Sequence, residues 1–470
     1  MDTITRFKQP IPVWFGLRRQ NKTAQVLLMF VVLALAPYAI PSLARFRVLI
    51  PPSIAGVVHL NSGESAGMET QGESPDDSSR ISNDAPNPVT PGEIEDPSGH
   101  AMDSLFASLL KSESRGGQTR ICHYGDSPIT NDGITSTVRR KLQLRFGDAG
   151  HGFILIDRPW GWYEHAGVSR EASRGWQSDP MFISRGDQLY GLGGVSFTAA
   201  AAGTSASFST AVEGEVGRSV SAFDIYFLMR PGGGAFDVLV DDQLVERVAT
   251  SSDEIKSGFH RVEAVEGPHK LTIKLVGNGN VQMFGVTLES SRPGVQYDSL
   301  GVNGAFIGLL AHYQDADHWI EQLRHRNPDL VIIGYGANES QFEKLPMDRY
   351  ELDTKEAIGR IRTALPSASI MLLGPMDRGM RGAGGGIVTR PMIPKLISYQ
   401  RRIAAQTGCA FFDEFAAMGG SGTVGRWCAA RPRLMSGDYT HPTAQGSEIV
   451  GSLIYEAIMR AFEEFKSGSL

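Results

Sequence analysis

Two stretches of strand–helix alternation, about 105–155 and 296–470, are separated by about 140 residues without helical spacing of apolar positions. In the flanking stretches, short apolar runs carry glycine at or near their ends, as in "TRICHYGDS", "PDLVIIGYG", "ASIMLLGP" and "GCAFFDEF". Helical segments such as "AMDSLFASLLKS", "DTKEAIGRIRTAL" and "IPKLISYQRRIAAQTG" lie before or between them. Runs of that kind are strands buried on both faces of a parallel sheet. The residues between, 156–295, hold "GVSFTA", "SASFST", "SAFDIYFLM", "AFDVLVD", "QLVERVA", "HRVEAV", "HKLTIKLV" and "VQMFGVTLE". Short alternating strands parted by Gly, Pro, Asn and Asp suit a β-sandwich. The expected fold is α/β: a doubly wound parallel sheet whose first strand–helix unit (105–155) is followed by an inserted β-sandwich (156–295) and then by the rest of the α/β domain (296–470).

The N-terminal part obeys different rules. No residue from Ala24 to Ala44 is charged, long enough to cross a bilayer as a helix. Arg6, Lys8, Arg18, Arg19 and Lys22 precede it, and only Arg45 and Arg47 follow closely. That asymmetry keeps residues 1–23 in the cytoplasm and sends the remainder across. A signal peptide cleaved after Ala44 is the other reading, since Ser42-Leu43-Ala44 is a small-residue site. The expectation is therefore a chain held to the membrane through 24–44, with its catalytic part in the periplasm or at a bacterial cell surface, or secreted if cleaved. Residues 45–104, rich in Ser, Pro, Gly and acids, read as a disordered tether. Gly63-Glu64-Ser65-Ala66-Gly67 within it matches a nucleophile-elbow pattern but lacks the strand and helix which that motif needs.

Composition excludes several classes. A formal net charge of −6 argues against a nucleic-acid partner. Three scattered cysteines make no disulfide framework, and Cys122 and Cys409 sit in apolar runs as core residues. There is no His-Glu-x-x-His and no Cys/His cluster, so no catalytic metal and no cofactor is expected. The oxygen ligands of a structural calcium in the sandwich would leave no short signature.

In an open parallel sheet, chemistry gathers at the carboxyl ends of the strands. Ser127 follows the first strand, Gly304 lies near the end of "VQYDSLGVNGA", Asn338 follows "PDLVIIGYG", and Asp438 and His441 lie in "GDYTHPTAQG" before the last helix, about 442–465. A serine hydroxyl needs a base to take its proton, a role His441 can fill. Asp438 can accept the other imidazole N–H and fix the tautomer, and Pro442 would start the helix that pins this loop. The oxyanion of an acyl-transfer intermediate needs donors, which the N–H groups of Ser127 and Gly304 and the amide of Asn338 can supply. Asp126 is expected to brace the turn that presents Ser127. Taken singly, each has an ordinary reading: a helix-entry turn, a turn asparagine, a capping Asp-x-x-His. A second such pair, Asp315 and His318, is expected only to cap a helix beside Trp319. Trp160, Trp162, Tyr163 and Trp176 cluster before the sandwich. The first three are candidates for stacking on sugar rings, and packing at the domain junction is the alternative.

Gly-Asp-Ser after the first strand, glycine in a second block, Gly-x-Asn in a third and Asp-x-x-His before the last helix resemble the SGNH/GDSL hydrolase superfamily, over about 105–155 and 296–468. The resemblance implies a flavodoxin-like sheet, Ser127 as nucleophile, Asp438 and His441 completing the triad, and Gly304 and Asn338 completing the oxyanion hole. Two positions depart from the common pattern: Pro128 stands where leucine is usual, and Glu339 follows Asn338 where many members have aspartate. The inserted sandwich, which looks like a carbohydrate-binding module, and "GDAGHGF" at 147–153 resemble bacterial peptidoglycan O-acetylesterases. Acetylated cell-wall glycan is the implied substrate. An O-acyltransferase using the same triad, and a non-catalytic glycan-binding protein, are the competing readings.

Overall fold

The computed structural model describes residues 92–182 and 186–468. Strands β1 (Ile94–Glu95), β2 (Gln118–Gly125), β3 (Gly294–Gly301), β4 (Leu330–Gly334), β5 (Ser369–Leu373) and β6 (Ala410–Phe412) form one sheet in the order β3-β2-β4-β5-β6-β1. The first five neighbours pair in parallel, and β1 closes the edge antiparallel to β6. Without β1, the order is the flavodoxin-like one.

The sheet is apolar on both faces because helices cover both. Side chains alternate across it, as strand geometry requires. Ile121, Leu330, Ile332 and Met371 face a cluster shared with helices Asp103–Glu113, Gly133–Phe146 and Ala444–Gly468. Cys122, Val331, Ile333 and Ile370 face the opposite cluster, shared with Ala316–Arg326, Met347–Ala364 and Met392–Thr407. Cys122 and Cys409 are buried and unbridged. Helix Gly133–Phe146 ends at Gly147 with φ 109°, and Met392–Thr407 ends at Gly408 with φ 63°, both left-handed positions that favour glycine.

Between β2 and β3, two antiparallel sheets face each other. One orders Gln243–Ala249, Ala235–Val240, Lys270–Leu275, Ser205–Ser209 and Ser169–Ala172. The other orders Lys256–Gly267, Val220–Met229, Val281–Glu289, Val195–Ala199 and Gln177–Pro180. Phe227 and Phe236 meet edge-to-face across them at 5.3 Å. The second sheet packs its outer face on helix Ala316–Arg326: His325 stacks on Phe259 at 3.6 Å and its Nε2 lies 2.5 Å from Asp224. This contact explains why Val220–Met229 is buried almost throughout instead of alternating. A buried ionic knot joins the same parts. Arg326 donates to Asp298 through Nε (2.7 Å) and Nη2 (2.9 Å), and to Glu289 through Nη1 (2.7 Å).

Several boundaries differ from the sequence reading. The sequence pattern assigns 147–155 to the α/β part, yet Gly150–Leu155 pairs antiparallel with Val281–Glu289 in the inserted sheet. Ser169–Ala172 and Gln177–Pro180 are edge strands too polar to show apolar alternation. The disordered reading of 45–104 fails at its end. Ile94 and Glu95 pair with Phe412 and Phe411, and Asp96 accepts from the N–H groups of Ser98, Gly99 and Ala101. The last helix begins at Ala444, not at Pro442, whose backbone instead bridges Met435. The 24–44 segment, its basic flank, the 63–67 motif and residues 45–91 lie outside the described residues. Among the described residues, no helix is long and apolar enough to cross a membrane.

Candidate active site

The site begins with three glycines in register. Gly125 of β2 pairs with Gly301 of β3 on one side and Gly334 of β4 on the other, so three strands end together. A single 3₁₀ turn, Ser127–Ile129, folds back over them. A Cβ on Gly125 would lie 2.9 Å from the Gly334 carbonyl and 3.0 Å from Ile129 Cδ1, and one on Gly301 would lie 2.7 Å from Ile129 Cγ1. The strand ends are glycine because the turn sits on them. Thr130 ties the turn down by donating from Oγ1 to the Ser127 carbonyl at 2.8 Å.

Ser127 Oγ lies 2.7 Å from His441 Nε2, and His441 Nδ1 lies 2.6 Å from Asp438 Oδ2. The carboxylate accepts from Nδ1–H, which leaves Nε2 free to take the serine proton. The His441 loop is preset by its own aspartate: Asp438 Oδ1 also accepts from the N–H groups of Thr440 (3.0 Å) and His441 (3.1 Å). Partial burial opposes ionisation of Asp438, but these bonds from His441 and Thr440 outweigh it and hold the carboxyl below its ordinary range. Tyr439 takes a left-handed φ of 61° to close the turn. The second pair behaves as the sequence suggested: Asp315 caps its helix by accepting from His318 N–H at 2.9 Å, beside buried Trp319.

Gly304 and Asn338 follow the two strands that flank β2. Neither the Ser127 nor the Gly304 N–H has a hydrogen-bond acceptor among the described residues. Asn338 Nδ2 spends one proton on the Ala305 carbonyl at 2.8 Å and keeps the other. Glu339 makes a second tie, accepting from Ile307 N–H at 2.9 Å. Burial pushes the Glu339 carboxyl up to about 7. Gly304 holds φ at 75°, and the ring of half-exposed Phe182 lies on it: a Cβ there would be 3.0 Å from Phe182 Cε1.

Asp126 does not brace its own turn as expected. Its side chain reaches the next strand end, where Oδ2 accepts from Ala337 N–H at 3.2 Å. Burial, with Glu339 nearby, raises its carboxyl to about 8. Of the three proposed sugar-stacking residues, Trp162 alone opens on the site. It is 53% exposed and lines a cleft of about 320 Å³ together with Ser127, Asn131, Asp438, His441 and Pro442. Its Nε1 donates to Thr130 Oγ1 at 3.2 Å. Tyr163 is buried, with its hydroxyl accepting from Leu155 N–H, and Trp160 packs edge-on against it at 6.2 Å. Trp160 and Trp176 pack against the core, and Trp176 Nε1 donates to the Ser205 carbonyl of the inserted sheet. Sequence reasoning missed Phe182 and Arg378. Arg378 follows β5 in "GPMDRG", another strand end, and reading every strand end alike would have found it.

A serine, an imidazole and a carboxylate joined in line can activate a hydroxyl, and N–H groups without an acceptor at the neighbouring strand ends are donors of the kind an acyl-transfer oxyanion needs. The fold is a doubly wound α/β sheet, and the site at its strand ends holds a serine–imidazole–carboxylate relay suited to acyl hydrolysis. Residues 276–449 match the model of the GDSL-like lipase/acylhydrolase family, a span that includes Gly304, Asn338, Asp438 and His441. Ser127 lies ahead of it, across the inserted sheets. Among solved structures, a peptidoglycan O-acetylesterase shares the fold at a TM-score of 0.67 and 22% identity, covering 79% of this chain and 99% of that one. A family two carbohydrate esterase from Clostridium thermocellum aligns over 63% of this chain and 100% of its own, at 13% identity and a TM-score of 0.27. No curated protein matches the chain.

Proposed function

We propose that this protein removes O-acetyl or other short acyl groups from cell-envelope carbohydrate, such as peptidoglycan, outside the cytoplasm. The observation that carries the reading is the unbroken relay Ser127–His441–Asp438 opening on a cleft walled by an exposed tryptophan. The substrate class is supported by that wall and by the likeness of the fold to a peptidoglycan O-acetylesterase. The location is supported by the uncharged 24–44 segment and its basic flank.

Ser127 Oγ attacks the ester carbonyl carbon as its proton passes to His441 Nε2. The carbonyl oxygen takes the negative charge and meets the N–H groups of Ser127 and Gly304 and the free Nδ2 proton of Asn338. Collapse breaks the bond to the sugar oxygen, which leaves with the proton from His441. The leaving sugar therefore lies on the His441 side, where the Trp162 cleft is. Water, deprotonated by His441, then attacks the acyl-enzyme and releases the carboxylic acid and Ser127. The Asp438 charge stabilises the imidazolium in both halves.

The test is acetate release from O-acetylated peptidoglycan by the wild type and by Ser127→Ala. Loss of release in a variant with unchanged melting supports the reading, and retained release contradicts it. Transfer of acetyl to an added oligosaccharide in place of free acetate would assign the acyltransferase reading instead. Glycan binding by the wild type with no turnover of any ester would assign the binding-protein reading.

A further inference from the structure

The Asn338 loop and the His441 loop come from opposite parts of the α/β domain, yet one side chain touches both. Arg378, in the segment after β5, donates from Nε to Thr440 Oγ1 at 3.0 Å and from Nη1 to the Ala337 carbonyl. With its amide oxygen turned toward the guanidinium, Gln341 accepts from both Nη atoms at 3.1 and 3.2 Å. Each contact leads directly to the site. Thr440 precedes His441, and its N–H and hydroxyl bond to Asp438 Oδ1 and to the Asp438 carbonyl. Ala337 precedes Asn338, and its backbone is held on both sides, the N–H by Asp126 and the carbonyl by Arg378. The backbone repeats the link, since Gly379 N–H donates to the Tyr439 carbonyl at 2.8 Å.

We propose that Arg378 is a positioning residue, setting the separation between the oxyanion-hole loop and the triad loop. The proposal rests on the esterase reading above. The guanidinium fork is what the geometry uses: its N–H groups point in fixed, divergent directions in one plane. A lysine ammonium on a flexible stem cannot hold both loops in that geometry. Arg378 touches no reacting atom in this arrangement. Its effect runs through Ala337 to Asn338 and through Thr440 to Asp438 and His441. Misplacing catalytic groups by an ångström is enough to cost a rate factor on the order of 10².

The experiment compares Arg378→Ala, Arg378→Lys and Asn338→Ala with wild type, using 4-nitrophenyl acetate turnover, thermal melting and added guanidinium at low millimolar concentration. The expected result is a kcat lowered on the order of 10²-fold with KM within about threefold in both Arg378 variants. Lysine should rescue nothing, while guanidinium should restore part of kcat to Arg378→Ala and none to Asn338→Ala. An Arg378→Ala kcat within about threefold of wild type overturns the proposal. So does a loss that guanidinium does not relieve and that follows a matching fall in melting temperature. The esterase reading fails separately, through activity retained by Ser127→Ala.

Discussion

Ser127 and His441, 314 residues apart in the chain, are joined by a 2.7 Å hydrogen bond between Oγ and Nε2. What sets that distance is local at both ends: a turn seated on three glycines at one, and an aspartate-bonded loop at the other. Asp438 serves twice there, as partner of the imidazole and as acceptor for two backbone N–H groups. Asp438→Asn keeps a side-chain oxygen for the backbone bonds but loses the charge that holds the imidazole tautomer. The expected outcome is a kcat lowered by about 10²- to 10⁴-fold with KM nearly unchanged. Steady-state kinetics on a soluble acetyl ester check it, and an unaltered kcat would remove Asp438 from the relay.

Trp162 lines the cleft with Ser127 and His441, where the proposed mechanism puts the leaving sugar. Trp162→Ala should raise KM for a polymeric glycan ester about fivefold, the effect of losing about 1 kcal/mol of aromatic contact. Turnover of 4-nitrophenyl acetate, which carries no sugar, should stay within about twofold of wild type. Equal losses on both substrates would mean that the indole acts through Thr130 and the Ser127 turn, not on the glycan.

Acid should loosen the joint between the α/β sheet and the inserted sheets. Burial opposes ionisation of Glu289, but the charges of Arg326 and Arg120 and the bond from Arg261 bring its carboxyl down to about 2 from 4.5. A carboxyl depressed by folding stabilises above its unfolded pKa, and that stability fades as pH falls from 4.5 toward 2. The contribution is roughly 3 kcal/mol. Denaturant melts of wild type and Glu289→Gln across that range should show a shallower pH slope in the variant. Equal slopes would contradict the assignment. Arg326→Met, which leaves buried Asp298 without its cation and Glu289 with only Arg261 and Arg120, should cost about 3–5 kcal/mol in the same melts.

The parallel strands were legible because burial on both faces leaves plain apolar runs, as in "LVIIG" and "SIMLL". Ser127, Gly304 and Asn338 were legible as candidates because each follows a strand end, where backbone geometry restricts the choice, and Asp438 and His441 because they share one short loop ahead of the last helix. What escaped were features set by distant partners. Gly150–Leu155 looked like a continuation of the first unit, but its partner, Val281–Glu289, lies more than a hundred residues on. Ile94 and Glu95 have no pattern of their own and become a strand only against Phe411 and Phe412. Whether a tryptophan packs or projects depends on what covers it, so Trp160, Trp162 and Tyr163 could not be told apart. Asp126 had the right neighbours in sequence and a different partner in space.

The most direct test of the account is covalent labelling of the full-length protein with an organofluorophosphonate, read by peptide mass mapping. A single adduct on the peptide carrying Ser127, formed in step with the loss of esterase activity and absent in His441→Ala, is the predicted result. Complete inactivation with the adduct on another residue, or undiminished labelling without His441, would contradict Ser127 as the nucleophile.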